Sequence, residues 1–280
     1  MCPGYYKCYK SYTCLHNQYL CDGVYQCPLK DDERYCHIYH LCPESCQCEG
    51  LAFKCSSSID TKRLYQVRHL DLSHADVGPS VQILDMLLLK FLNLSWCNIE
   101  TLHLFSGLIS HIDLNHNSLT SLESITFEGD VLFLRYLDLS HNPRLLTKSS
   151  LMQEYFCKVG SSLQELRLSN TGLSYLPGGA FDCLKDLCYL DITDVSFHIE
   201  IDKYGFSGLK NIQNILVDDY MICCMFKAAI PIRDSDCLTK KEKDELSSCS
   251  NLLKTDFLRF VLWAFAISTL IGNTGVLAYR

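Results

Sequence analysis

The sequence lacks the features of several functional classes. It has no basic stripe and a net charge of -7, which argues against a nucleic-acid partner because such partners bind basic faces. It contains no nucleophile elbow, phosphate-binding loop or zinc-hydrolase helix. Its 10 histidines are scattered along the chain instead of standing beside an acid and a nucleophile. We therefore expect a protein that is not an enzyme.

A signal peptide is also missing ahead of Cys2, although the end of the chain predicts a membrane protein. The run FVLWAFAISTLIGNTGVLAY, from Phe260 to Tyr279, has 20 residues and no charge. At about 1.5 Å per residue it spans the roughly 30 Å hydrocarbon core. We predict one transmembrane α-helix over 257–280 with an extracellular domain before it at the plasma membrane; a buried core helix is the alternative. Such a domain needs a signal peptide, so we expect a fragment of a longer protein, incomplete at both ends.

Cysteine, by contrast, is abundant. Ten of the 18 cysteines fall within the first 55 residues, which predicts a disulfide framework made in an oxidising compartment. Zinc is the weaker interpretation, since paired C-x-x-C or H-x-x-x-H spacings are missing. Residues 1–36 form a unit too small to fold on an apolar core, and 37–41 form a short linker. The clustered cysteines are Cys2, Cys8, Cys14, Cys21, Cys27 and Cys36, followed by Cys42, Cys46, Cys48 and Cys55.

A repeat of the form L-x-x-L-x-L-x-x-N-x-L follows over about 57–222. Its asparagine-type position falls at 75, 97, 117, 142, 171, 195 and 220, so successive spacings are 22, 20, 25, 29, 24 and 25 residues. These spacings lie in the range of leucine-rich repeats. Each repeat contributes a strand that cannot bury its leucines alone, so about seven repeats stack into a solenoid with a curved parallel β-sheet. Asn117 and Asn142 can bond the neighbouring turn, whereas Ala75 and Val195 cannot, so we expect a patchy ladder.

An open solenoid needs capped ends. The cluster in 42–56 has the position of an N-terminal cap, and 223–256 has that of a C-terminal cap or hinge. The sequence does not decide how the hinge cysteines pair, or whether the cysteines inside the repeats are oxidised. The hinge cysteines are Cys223, Cys224, Cys237 and Cys249, and those inside the repeats are Cys97, Cys157, Cys183 and Cys188. Cys157 and Cys183 could bridge neighbouring turns, or all four cysteines of the repeats could be buried thiols.

The first cysteine unit carries acids at fixed offsets from its cysteines. Hard cations such as calcium take several oxygens, mixing carboxylates with backbone carbonyls. We predict a calcium site, and the alternative is a solvated acidic edge. Its ligands would be the carboxylates of Asp22, Asp32 and Glu33, the carbonyls of Tyr19 and Val24, and the amide oxygen of Gln26.

A second candidate site is the concave face of the solenoid, where the x positions of L-x-L point to solvent. Strands about 4.8 Å apart would align them in an acidic stripe suited to a partner that carries arginine or lysine. The alternative is that these acids are solvated filler residues of the repeat with no role in binding, because the sequence L-D-L-S is common in such repeats. The predicted ligand-binding acids are Asp71, Asp113, Asp138, Glu165 and Asp191.

Two further motifs lie in the repeats. His74, Trp96, His116 and His141 share one repeat position, where stacked histidines could bind a metal, although repeat filler is the commoner role. Asn93-Leu94-Ser95 is an N-glycosylation sequon, which predicts a glycan on Asn93.

The stretch CPGYYKCYKSYTCLHNQYLCDGVYQCPLKDDERYC resembles an LDL-receptor class A module. The resemblance implies pairing of Cys2 with Cys14, Cys8 with Cys27 and Cys21 with Cys36, and a structural calcium ion at the six predicted ligands, with Gln26 where the family usually has aspartate. CPESCQCEGLAFKC resembles a leucine-rich-repeat N-terminal cap, which implies Cys42 with Cys48 and Cys46 with Cys55.

The order of modules is similar to leucine-rich-repeat G-protein-coupled receptors of the relaxin-receptor type, including their invertebrate relatives. Gly272-Asn273 matches the pair in the first helix of rhodopsin-like receptors, where the asparagine joins the receptor-core network. The resemblance implies a secreted, relaxin-like peptide hormone bound through arginines on the concave acids, and signalling through a heterotrimeric G protein. It also implies that Tyr5 and Tyr6 belong to an activating stretch. The alternative class is a single-pass repeat protein for adhesion or a decoy.

Overall fold

The computed structural model describes most of the chain. The described residues are 2, 5–34, 36, 42–60, 62, 64–105, 107–147, 149–195, 199–230, 233, 236–240 and 256–278. The predicted linker 37–41 and the hinge cysteine Cys249 lie outside them.

The first cysteine unit is a small module held by disulfides. Its hairpin pairs β1 (Tyr6–Lys7) with β2 (Cys14–Leu15), and two 3-10 turns follow at Asn17–Tyr19 and Asp31–Glu33. Cys2–Cys14, Cys8–Cys27 and Cys21–Cys36 are bonded, which are the pairings that the resemblance implies. Among the described residues, a separate core of Cys8, Leu15 and Cys27 shows why such a small unit depends on its bridges.

The rest of the molecule is built on one ten-stranded sheet. It opens with an antiparallel hairpin, β3 (Cys46–Glu49) and β4 (Ala52–Cys55), closed by Cys42–Cys48 and Cys46–Cys55 as expected. From β4 onward all pairings are parallel, and each of the seven repeats contributes one strand. The strands that follow are β5 (His69–Asp71), β7 (Phe91–Asn93), β9 (His111–Asp113), β11 (Tyr136–Asp138), β12 (Glu165–Arg167), β14 (Tyr189–Ile192), β16 (Asn214–Val217) and β17 (Cys237–Thr239).

The opposite, convex side changes character along the solenoid. Early repeats form a parallel three-stranded sheet, and later repeats carry helices. The longest spacing, between positions 142 and 171, contains the first of these helices. The convex elements are β6 (Ser80–Ile83), β8 (Thr101–Phe105), β10 (Ile125–Glu128), α1 (Met152–Val159), the pair β13 (Tyr175–Leu176) and β15 (Glu200–Ile201), and α2 (Tyr220–Ala229), with 3-10 turns at Leu122–Ser124 and Ser149–Leu151.

The core lies between these two sides. Register places the central leucines in one row, for example Leu70 opposite Leu92 and Leu137 opposite Leu166, all fully buried. In the second half a phenylalanine row fills the wider space that the helices leave, with Phe206 and Phe226 stacked at 3.5 Å between ring centroids. Stacking is therefore what buries each leucine face.

The remaining described cysteines separate into bonded and free groups. Cys157 is bonded to Cys183 across neighbouring turns, and Cys223 to Cys237 at the C-terminal end; Cys224 is also disulfide-bonded. Cys97 and Cys188 are free thiols. The open question at Cys157 and Cys183 is thus answered in favour of a bridge.

The last helix, α3, runs from Asp256 to Ala278. Within the part of the chain that the structure describes, no helix combines the length and apolarity that crossing a membrane requires. The side chains of 272–278, which include Asn273, lie outside the described residues.

The first module packs directly on the start of the solenoid. Leu20 and Cys21 join the main core beside Leu51 of the cap. The guanidinium of Arg68 lies 5.7 Å from the ring centroid of Tyr6, and Lys90 Nζ donates to the carbonyl of Tyr5 at 3.2 Å. The module therefore covers the first strands of the concave face.

Candidate ligand-binding face

The predicted acids share one column of the concave sheet. Parallel register aligns Asp71, Asn93, Asp113, Asp138, Arg167 and Asp191 across successive strands. Glu165 lies in the adjacent column, two residues before Arg167 on the same strand. The sheet thus brings all five predicted acids onto one face.

These acids first serve the turn that follows each strand. Oδ1 of Asp71, Asp113, Asp138 and Asp191 each accepts the backbone N–H two residues on, at 2.9 to 3.0 Å. Such turns let the chain leave the sheet at the same angle in every repeat. The L-D-L-S filler interpretation is therefore partly right, because the aspartates have a structural role.

The aspartates differ in the partner of their second carboxylate oxygen, Oδ2. Oδ2 of Asp138 accepts from the Tyr136 hydroxyl at 3.2 Å, and Asp138 is only 5% exposed. Oδ2 of Asp71 faces Lys54 at 3.5 Å. For Asp113 and Asp191 the described residues supply no partner to Oδ2. Burial raises the pKa of Asp113, with a further contribution from Asp138. Asp113 and Asp191 are thus the acids open to a ligand.

A second column lies two residues earlier on each strand, and apart from Glu165 its residues were not predicted from the sequence. It is formed by His69, Phe91, His111, Tyr136, Glu165 and Tyr189, which the register aligns. Side chains alternate between the two faces of a strand, so both x positions of x-L-x-L lie on the same face. The repeat pattern therefore contained the information needed to identify this second column. The stripe is therefore half acidic and half aromatic.

Arg167 interrupts the acidic column and is held in place. Its guanidinium lies 5.6 Å from the Tyr136 ring centroid and 5.5 Å from that of Tyr189, and it is paired with Glu165 at 2.6 Å. Burial lowers the pKa of Arg167, but the hydrogen bonds that it donates to Glu165, together with the charges of Tyr136, Glu165 and Asp138, outweigh burial, and the pKa rises. Glu165 is thus partly neutralised by its neighbour.

The predicted calcium ligands lie close together in the first module. Asp22 Oδ1 accepts from Val24 N and its Oδ2 from Gln26 Nε2, both at 2.8 Å, while the carboxylate of Glu33 accepts from the backbone N–H groups of Asp22 and Gly23.

Two oxygens of this cluster are left without a partner. Asp32 Oδ2 accepts from Gln26 N at 2.6 Å, but Asp32 Oδ1 and Gln26 Oε1 are buried and unbonded. Buried oxygens without a partner are costly, and a cation would satisfy both. In the described part of the chain, no three histidine, cysteine or acidic side chains converge as metal ligands.

Tyr5 and Tyr6, the predicted activating residues, both lie where the module meets the solenoid. Tyr6 is half-buried, and its hydroxyl donates to Asp31 Oδ2 at 2.7 Å. Burial raises the pKa of Tyr6 to about 12, with Asp31 adding to the effect. Tyr5 is about half exposed, with its ring against His16.

The histidine column is a stack of rings. Trp96 and His116 are stacked at 3.7 Å between centroids, and His116 and His141 at 4.0 Å. Metal–imidazole bonds lie in the ring plane, so parallel stacked rings do not aim at one shared ion. His116 Nδ1 instead bonds Asn115 and His141 Nδ1 bonds Asn170. The geometry favours the filler interpretation.

The sequon asparagine Asn93 lies in the acidic column, where its Oδ1 accepts from Ser95 N at 2.9 Å. A glycan there would project from the concave face at the strand of the second repeat. Occupancy of Asn93 remains a prediction.

Together, the disulfide-closed cap, the seven stacked strands and the acidic concave face define a disulfide-rich leucine-rich-repeat protein. No protein-family model matches the chain. Over 75 residues, 27% of this chain, it is 31% identical to the G-protein coupled receptor GRL101 of Lymnaea stagnalis. That match spans only 6% of the receptor's length. Among solved structures, human 5T4 (trophoblast glycoprotein) shares 18% identity at a TM-score of 0.47, over 75% of this chain and 98% of that one.

Proposed function

We propose that this chain is the extracellular ligand-binding region of a plasma-membrane G-protein-coupled receptor, and that its role is binding, not catalysis. Its ligand would be a secreted basic peptide or protein, with a relaxin-like hormone as the specific candidate. The full receptor would signal through a heterotrimeric G protein. The partial similarity to a snail receptor supports the class, and the concave face supports the ligand.

The observation that carries the ligand proposal is the pair of open carboxylate oxygens on Asp113 and Asp191. Three strand steps separate them, about 14 Å at roughly 4.8 Å per step. The aromatic column alongside offers His111, Tyr136 and Tyr189 for apolar and cation–aromatic contacts. A ligand with two arginines about 14 Å apart would satisfy both acids.

The test measures binding of a helical peptide with two arginines at that spacing to the full chain. Asp113→Asn and Asp191→Asn keep the Oδ1 turn bond and remove only charge. We expect each to weaken binding about tenfold and to flatten its salt dependence. Asp130→Asn, on an exposed loop of the convex side, controls for net charge. Equal affinity in all four proteins would refute recognition by the concave acids.

Calcium belongs to the same proposal as a structural cofactor of the first module. Asp32 Oδ1 and Gln26 Oε1, the buried oxygens without partners, support a cation there. Asp22, Glu33 and the carbonyls of Tyr19 and Val24 would complete the ligand set. The bound ion would supply positive charge that fixes the acidic loop.

Calorimetry on the full chain tests the cofactor. Gln26→Asp adds a carboxylate, so we expect roughly tenfold tighter calcium binding. Without calcium the same variant should be less stable, because it loses the amide bond to Asp22 Oδ2 and sets two carboxylates together. No calcium binding by either protein would refute the site.

The alternative class, adhesion or a decoy, makes a different prediction about signalling. A cell expressing the complete gene would bind the basic peptide in both cases. Only the receptor would couple that binding to guanine-nucleotide exchange on a G protein. Binding without exchange would favour the alternative.

A further inference from the structure

The contact between the first module and the concave face is built around histidines. A continuous stack of rings runs from the module onto the sheet: Tyr5 to His16 at 5.7 Å, His16 to His69 at 5.7 Å, and His69 to Phe91 at 3.9 Å between centroids. His111 continues the stack at 5.9 Å from Phe91. Two imidazoles, one from each side, thus meet at the junction.

His16 also holds the segment that docks. Its Nδ1 accepts from Gln18 N at 3.3 Å and so caps the 3-10 turn Asn17–Tyr19. The carbonyl oxygens of Gln18 and Leu20, in and just after this turn, lie against Gly50 of the cap hairpin. The ring that contacts His69 is therefore fixed to the turn that docks on the cap hairpin.

The charges around the junction are mainly positive. Arg68 packs on Tyr6 and Lys90 reaches the Tyr5 carbonyl, and burial lowers the pKa of both cations. Asp71 acts in the opposite direction on His69, but it already faces Lys54. On the module side Asp31 is bonded to Tyr6, and farther along the sheet Glu165 and Arg135 act on His111 with opposite signs. A proton on His69 would therefore join two partly buried cations, Arg68 and Lys90.

We propose that this histidine junction is a pH-sensitive latch: the first module docks on the concave face while His69 is neutral, and mild acid releases it. Release would free the first strands of the concave face and expose Tyr5 and Tyr6. The latch depends on the junction alone and holds whether or not the ligand is a basic peptide.

The direction follows from the protonation of His69. Burial, with a smaller contribution from His16, lowers its pKa from 6.5 to about 4. A depressed pKa stabilises the docked state above about pH 6.5, and that stabilisation is lost as pH falls towards 4. If the released imidazole regains its ordinary pKa, the docking equilibrium constant falls by up to about 30-fold between pH 8 and pH 5.

Hydrogen–deuterium exchange on the full chain tests the latch at pH 7.5 and pH 5. Labelling times are scaled for the pH dependence of amide exchange, and peptides from β11 and β12 serve as internal references. In the wild type we expect protection of residues 16–21 and 50–54 to fall at least about tenfold at pH 5. The variant His69→Phe keeps a stacking ring but cannot be protonated at this position, so it should stay protected.

His103→Phe provides the matched control, since it removes an imidazole on the convex side, where His103 Nδ1 bonds the Thr126 hydroxyl. It should behave as the wild type. Two outcomes would overturn the proposal: undiminished protection of the wild type at pH 5, or equal loss in His69→Phe. The second outcome would assign release to the carboxylates of the module instead.

Discussion

Among single side chains, two buried asparagines bond the largest number of backbone groups. Asn117 Oδ1 accepts from Cys97 N and Ile99 N, and its Nδ2 donates to carbonyls of its own and the preceding repeat. Asn142 bonds in the same way one repeat later. Where the sequence has valine at 195, Asp218 of the next repeat accepts from Val195 N instead. The patchy ladder is thus completed by other side chains.

We expect Asn142→Ala to lower the free energy of unfolding by about 3 kcal/mol, because it leaves buried backbone groups of Leu114, Leu119 and Leu139 without their hydrogen-bond partner. Asn211→Ala is the control: its side chain is exposed and bonds only the Lys185 carbonyl, so the loss should stay below about 1 kcal/mol. Urea denaturation followed by circular dichroism measures both. Similar losses would contradict this role of the ladder.

Removal of the hydroxyl group should have opposite effects on stability at Tyr155 and at Tyr136. Within the described residues the buried hydroxyl of Tyr155 has no hydrogen-bond partner, and burial raises its pKa. Tyr155→Phe should leave stability unchanged or raise it by up to about 1 kcal/mol. Tyr136→Phe should lower it by about 1–2 kcal/mol, because Asp138 loses a donor. Thermal unfolding checks the pair, and a clear loss in Tyr155→Phe would show that this hydroxyl is bonded.

Secondary-structure elements differ in how far the sequence predicts them. The L-x-x-L-x-L spacing located all seven concave strands, because burial of leucines at alternate positions is local to each repeat. It did not distinguish β6, β8 and β10 from the helix α1, since the convex residues have no strict period. The 29-residue spacing was the available sign of a longer insertion. Docking of the first module was also beyond prediction, because it joins residues far apart in sequence.

The α1 helix is tied to the next repeat by Cys157–Cys183, which closes a 26-residue loop. Chain-entropy arguments give such a loop about 3.5 kcal/mol of stability. We expect Cys157→Ala/Cys183→Ala to lose about that amount, and Cys188→Ala, which removes a free thiol, to lose less than about 1 kcal/mol. Equilibrium denaturation without reductant compares them. A double variant as stable as Cys188→Ala would mean that α1 is held by packing alone.

At the scale of the whole molecule, the described residues of the first module and of the solenoid share one continuous core. Leu20 and Cys21 belong to the same cluster as Leu51 and the repeat leucines. The module therefore extends the cap and covers the first concave strands. A ligand that meets the docked protein would find the sheet open mainly from β9 onward, where Asp113 and Asp191 lie.

Gly50 is the residue on which this arrangement can be tested. It has a φ of +56°, and a Cβ there would overlap the carbonyl oxygen of Leu20. Gly78 has a φ of +77° with open space around it, so Gly78→Ala carries comparable backbone strain and no clash. We expect Gly50→Ala to displace the module and increase the radius of gyration in small-angle X-ray scattering at pH 7.5, whereas Gly78→Ala should match the wild type. An unchanged radius in Gly50→Ala would mean that the module does not dock on the cap in solution.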